Sequence, residues 1–218
     1  MRQDRPFRIG VSLLLTSMAA ALLLFSITQP MWKMRMVSPQ YQDEEALDVV
    51  VYPREMRGDL GEIDVLNQYI GVHVPKTLPQ FNWLPGALMA AAITGVAGAL
   101  LPRLWRKRAL VAVPVLLSLA LAGAAAQAQK QMHDIGHNRD EKTTMARTKD
   151  FTPPLLGTTK LANFTLTASL GTGAYMIGLA VILQLGAAWV NRGGPQGNRR
   201  REENQDRGRA ARPAEGTA

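Results

Sequence analysis

The residues best suited to chemistry in this chain are thioethers and imidazoles, and they fall in two polar stretches. Met31, Met34, Met36, Met56 and His73 occupy the first; Met132, His133, His137 and Met145 occupy the second. Imidazole binds several transition metals and thioether favours Cu(I), so such a set could hold a soft cation. His133 and His137 are four apart, which puts them on one face if the chain there is helical. Packing is the competing reading and the better supported one. Methionines bordering an apolar run commonly fill irregular gaps, and a single i, i+4 histidine pair arises readily by chance.

Other chemistries lack their parts. With no cysteine in 218 residues, disulfides, thiolate metal sites, covalent haem attachment and cysteine nucleophiles are excluded. There is no nucleophile elbow, HExxH or Walker loop. Asp43, Glu44, Glu45, Asp59, Glu62 and Asp64 read as a solvated face or a helix cap, not an acid/base pair. Gly171-Thr172-Gly173 sits beside apolar residues and reads as helix packing, not phosphate binding. The chain is therefore expected not to be an enzyme.

The elements that would position any of these residues are set by four apolar stretches, 9–28, 84–101, 109–126 and 166–190, none of which contains Asp, Glu, Lys or Arg. A helix rises about 1.5 Å per residue and the bilayer hydrocarbon is about 30 Å thick, so each stretch is long enough to cross it. The whole-chain mean hydropathy of −0.04 conceals this by averaging the stretches with polar loops and a charged tail. Gly95, Gly98, Gly123, Gly171, Gly173 and Gly178 would let helices approach closely. The expected fold class is an all-α transmembrane four-helix bundle with a small mixed α/β periplasmic cap.

Charge sets the orientation. Segments 1–8, 102–108 and 191–218 hold 14 of the 25 Lys and Arg residues, with 5 acidic residues; segments 29–83 and 127–165 hold the other 11, with 12 acidic residues. The positive-inside rule puts the first set in the cytoplasm. The expected order is a cytoplasmic N-terminus (1–8), a first span (9–28), a periplasmic region (29–83), spans 84–101 and 109–126 joined by a cytoplasmic loop (102–108), a periplasmic loop (127–165), a last span (166–190) and a disordered cytoplasmic tail (191–218). The first apolar run is longer than a signal-peptide core and lacks a small-x-small cleavage site, so it reads as a retained anchor. The Arg run at 199–201 fits attraction to anionic lipid better than nucleic-acid binding, because no aromatic platform accompanies it. The bilayer is therefore an expected partner and nucleic acid is not. Spans without charge argue against an ion or solute pathway. Gln184, Thr94 and Ser118 are the deep polar residues, each expected to make one helix-to-helix hydrogen bond.

In the first outer region, Leu47 to Tyr52 reads as a strand broken by Pro53. Asp59 and Glu62 resemble a capping box that opens a helix over about 60–70, with Ile63, Leu66 and Ile70 on its apolar face and Gly71 as its stop. That helix leaves Asp64, Asn67, Gln68 and Tyr69 for a partner. In the second region, Pro153 and Pro154 force extended backbone and Gly157 permits a turn, making a neighbouring surface. Trp83 and Phe164 sit where interfacial aromatics belong.

The blocks RGDLGEIDVLNQYIGV (57–72), GHNRD (136–140) and FTPPLLGTTKLANF (151–164) resemble the NosB-like polytopic membrane accessory proteins of nitrous oxide reductase gene clusters. The likeness covers the two outer regions, about a third of the chain, plus a similar order of spans. Leu66, Asn67, Tyr69, Ile70 and Gly71 keep the motif; Gln68 and Val72 depart from it, where the family has His and Met. The resemblance implies support of a periplasmic copper enzyme through another membrane or periplasmic protein. Copper is then the metal to consider, with Met34, Met36, His73, His133 and His137 as its candidate ligands. The two departures remove the best ligands the motif would have supplied.

Overall fold

The computed structural model describes residues 4–37, 46–62, 65, 77–137, 155–161 and 164–192. Their elements follow in the order α1 (Asp4–Ser26), β1 (Trp32–Val37), β2 (Leu47–Val51), β3 (Met56–Gly58), a 3₁₀ turn (Pro79–Phe81), α2 (Leu84–Leu100), α3 (Arg103–His137), β4 (Gly157–Leu161), β5 (Phe164–Leu170) and α4 (Thr172–Arg192). Four helical stretches are long and apolar enough to cross a membrane: Phe7–Ser26 in α1, Pro79–Leu100 formed by the 3₁₀ turn with α2, Trp105–Asp134 in α3 and Thr172–Asn191 in α4. They close a ring in which α1 packs on α2 and α4, and α3 packs on the same two.

The bundle interior interleaves alanine with leucine. One apolar cluster, near the strands, gathers Ala19, Leu23, Leu88, Ala92, Leu117 and Ala180; a second, toward the chain termini, gathers Ala99, Leu110, Ala187 and Ala188. Alanine lets the backbones approach, and packing of this kind drives helix association where water supplies no hydrophobic force. Gly98 does the same at the α2–α3 contact, where an added Cβ would lie 3.0 Å from the Ala109 Cβ.

Two helix boundaries differ from the apolar pattern. Residues 103–108, expected as a loop, are the first turns of α3, so Leu101 and Pro102 alone connect α2 to α3. Residues 166–170, expected to open the last span, are strand β5, and helix begins at Thr172. Apolar content cannot separate these states; the alternation of Thr165, Thr167 and Ser169 with Leu166, Ala168 and Leu170 is a strand period. Helix α3 runs 35 residues, about 52 Å, so one end projects well beyond a 30 Å hydrocarbon layer. The hydrogen bond from Gln80 Nε2 to Gln131 Oε1 ties that projection to the 3₁₀ turn before α2.

The strands form one antiparallel sheet in the order β3-β2-β1-β5-β4. The expected strand at 47–52 is present as β2, but it is one of five, and both outer regions contribute. Pro30 ends the helical turn that follows α1, and the Met31 N–H then bonds the Val51 carbonyl at 2.8 Å. On the other side β5 runs into α4 through Gly171, whose N–H bonds the Met31 carbonyl at 2.9 Å, while the Gly173 N–H bonds the Pro30 carbonyl at 2.9 Å. The central strand β1 and its neighbour β5 thus continue two packed helices.

That junction depends on a missing side chain. A Cβ on Gly171 would lie 2.1 Å from the Pro30 carbonyl oxygen, where only backbone could yield. Gly171→Ala is expected to destabilise the fold by about 3 kcal/mol, the range in which overpacking displaces backbone. Gly10→Ala, with nothing within 4 Å, should change stability by less than about 1 kcal/mol. Thermal unfolding of the two variants in mild detergent measures the contrast.

Candidate interaction surface

The sheet has two unlike faces, and the register assigns residues to each. Trp32, Met34 and Met36 of β1 stand opposite Val51, Val49 and Leu47 of β2, and opposite Leu170, Ala168 and Leu166 of β5. This is the apolar face: Trp32, Val49, Leu166 and Ala168 are buried. Lys33 and Arg35 share the other face with Asp48, Thr165, Thr167, Ser169, Thr158 and Lys160. There the hydroxyls of Thr158 and Thr167 are 3.3 Å apart, and Lys33, Arg35 and Lys160 are exposed. The faces were legible in residues 32–36, WKMRM, whose apolar/charged alternation is a strand signature that the adjoining apolar span obscures.

Loops hang from defined points on this sheet. The Asp59 carboxylate accepts the Asp48 N–H at 2.9 Å, and the Asp59 N–H bonds the Asp48 carbonyl at 3.0 Å, so Asp59 closes the β2–β3 hairpin. Residues 60–62 are helical directly after it. Gly58, at φ +118°, takes a left-handed conformation, and an added Cβ would strike the Asp48 carbonyl at 2.0 Å. Further on, Thr77 bridges to Glu55, beside β3, so the chain leaves and rejoins the sheet near the same edge. Arg57 pairs with Glu55 and lies 4.9 Å from the centre of the Tyr52 ring. Both partners of that ion pair are well exposed, so it adds little stability. Near the opposite edge, Trp32 Nε1 donates to the Leu155 carbonyl at 2.5 Å, which fixes the approach to β4 under the apolar face. Trp32 is an anchoring residue that sequence reasoning missed. The exposed apolar side chains Val65 and Leu156 flank the two loops.

The candidate partner residues Asp64, Asn67, Gln68, Tyr69, Pro153 and Pro154 lie outside the described residues, as does the candidate ligand His73. The remaining candidate ligands fall on separate elements. Met34 and Met36 are half-buried on the apolar face of β1, a strand that packs on β2 and β5. His133 and His137 are exposed on the projecting end of α3, a helix that packs on α2 and α4. Their rings are 3.8 Å apart, and His137 Nδ1 lies 2.9 Å from the His133 carbonyl oxygen. Among the described residues, no three His, Cys, Asp or Glu side chains converge as a metal site.

The deep polar residues behave differently from their expected pairing between helices. Thr94 Oγ1 donates to the Ala90 carbonyl at 2.6 Å and Ser118 Oγ to the Pro114 carbonyl at 2.7 Å. Both bonds return to the same helix, because both side chains are exposed on the outside of the bundle, where lipid would offer no partner. Gln184 is 1% exposed, and neither of its amide atoms has a hydrogen-bond partner.

No protein-family model and no curated protein matches the chain. The architecture is a ring of four long apolar helices whose first and last members extend into β1 and β5, two adjacent inner strands of a five-stranded antiparallel sheet.

Thr94→Val and Ser118→Ala should each lower stability by less than about 1 kcal/mol, since each removes only a bond back to its own helix. Chemical unfolding in detergent tests this, and a loss above about 2 kcal/mol would show that the hydroxyls join helices.

Proposed function

We propose that the chain is a four-span protein of a bacterial inner membrane that carries its sheet on the periplasmic side and acts as a non-catalytic accessory or assembly component. The observation that carries this reading is the mounting of the sheet. Its strands β1 and β5 continue α1 and α4 through the Gly171 junction, so the cap is held in fixed relation to the bundle. A rigidly mounted sheet with an exposed polar face suits display to a second protein.

Aromatic placement supports the membrane part. Trp105 and Trp189 are exposed at the end that carries the chain termini, and Trp83 and Tyr175 are exposed at the sheet end, as two interfacial belts require. The charge asymmetry supports cytoplasmic termini. The likeness to NosB-like accessory proteins extends the reading to maturation of a periplasmic copper enzyme, through a membrane or periplasmic partner that meets Asp64, Asn67, Gln68, Tyr69, Pro153 and Pro154.

A second reading, copper binding by the chain itself, draws on one observation. With His137 Nδ1 turned to a backbone carbonyl, Nε2 is the nitrogen left to meet a metal, the orientation usual in metal-ligating histidines. Small-solute transport has no such support.

Asp64→Lys should reduce recovery of the co-purifying partner at least tenfold while leaving this protein's abundance unchanged; undiminished recovery would remove Asp64 from the interface. Copper per protein, measured in the same detergent preparation after copper loading and washing, separates the readings. A stoichiometric amount lost in the His133→Ala, His137→Ala double variant would make the chain a metal-handling factor, and no retained copper would leave the assembly role.

A further inference from the structure

Gln184 lies between the two apolar clusters of the bundle, and so does one buried residue from each other helix. On α1, Thr16 separates Leu13 and Leu15 from Ala19; on α2, Gly95 separates Ala91 and Ala92 from Ala99; on α3, Pro114 separates Leu110 from Leu117; on α4, Gln184 separates Ala180 from Ala187. All four are buried. Placed by the clusters on either side, they mark one layer along the bundle, in which Gly95 and Gln184 are adjacent.

This layer carries hydrogen-bonding capacity that the chain does not use. The Gln184 amide offers two N–H donors and a carbonyl oxygen, all unpartnered. The missing Cβ of Gly95 makes space for it, since that atom would stand 3.0 Å from Gln184 Nε2. Pro114 has no N–H, so the Leu110 carbonyl one turn earlier loses the donor that a helix would normally bring to it. Thr16 Oγ1 gives its proton to backbone carbonyls of its own helix, at 2.9 Å to Ser12 and 3.1 Å to Leu13, and keeps lone pairs as an acceptor. Donors and acceptors are thus both present in one layer, with no charge among them. The other deep hydroxyls, Ser12 and Ser26, are satisfied by their own helix.

We propose that this layer is a hydration site: ordered water, bound between the helices, bridges the Gln184 amide to the Leu110 carbonyl and the Thr16 hydroxyl. Water is the ligand whose chemistry fits. It is neutral, it donates and accepts, and it needs only about one probe sphere of room with two to four polar partners. A charged ligand would find no counter-charge here, and an apolar one would leave the amide unmatched. The site depends on the bundle alone and not on the orientation or partner proposed above.

The test is water-to-amide dipolar transfer, observed by NMR on the full chain with ¹⁵N in its glutamine side chains, in lipid nanodiscs. The Gln184 resonances are identified by their disappearance in Gln184→Met. Should that variant not fold, Gly95→Ala identifies them by displacement, because its methyl would abut Nε2. Cross-peaks between the Gln184 NH₂ protons and water, with the sign of through-space contact and not of chemical exchange, are expected. An amide in contact only with aliphatic protons of the neighbouring helices, with no transfer from water, would show a dry layer and overturn the proposal.

Discussion

The structure depends on one close approach, that of the Gly171 backbone to Pro30 and Met31. It is where the first and last helices become strands β1 and β5 of the sheet. Proline ends the turn that follows the first helix, glycine permits the last strand to cross its carbonyl, and two N–H groups close the contact at 2.9 Å each. Because α1 and α4 are packed together below this point and β1 and β5 are paired above it, the helix pair and the strand pair fix each other's geometry. A larger residue at 171 would separate the strands or the helices, and neither can move alone.

Within the bundle the balance is different. Small side chains bring the helices close, and most hydroxyls are returned to the backbone of their own helix, as a lipid surround requires. Specificity between helices then rests on shape, with Gly98 opposite Ala109, and on the seating of the Gln184 amide against Gly95. Burying a neutral amide without partners costs several kcal/mol on alkane-based scales, so such a seating persists only where something compensates it.

The four apolar runs were legible in the sequence because a bilayer demands about 20 apolar residues and little else resembles that. The strands were not. β5 is contiguous with the last apolar run, and Leu166, Ala168 and Leu170 read as helix content until their alternation with Thr and Ser is weighed. β1 is similarly masked by the span before it. Long-range pairing supplied what local pattern lacked: WKMRMV becomes a strand because FTLTASL is there to meet it. Met34 and Met36, plausible as ligands by type, are placed by that pairing among Leu47, Val49, Leu166 and Ala168, where packing accounts for them. The i, i+4 histidine pair could be read from spacing alone, since it needs only the helix that α3 continues to provide. The glutamine's depth was equally visible, but its lack of a partner was not, because neighbours across a bundle are invisible in one helix's sequence.

The central claim is a sheet displayed on the periplasmic side of a four-span bundle, and the absence of native cysteine makes it directly accessible to labelling. Single cysteines introduced as Lys33→Cys and Lys160→Cys on the polar face, and as Ala210→Cys in the tail, would be exposed to a membrane-impermeant maleimide with the inner membrane intact. The account predicts that both sheet positions label and that the tail position labels only after the membrane is opened. Labelling of the tail with protection of the sheet would invert the orientation, and full labelling of all three without permeabilisation would contradict a membrane-spanning arrangement.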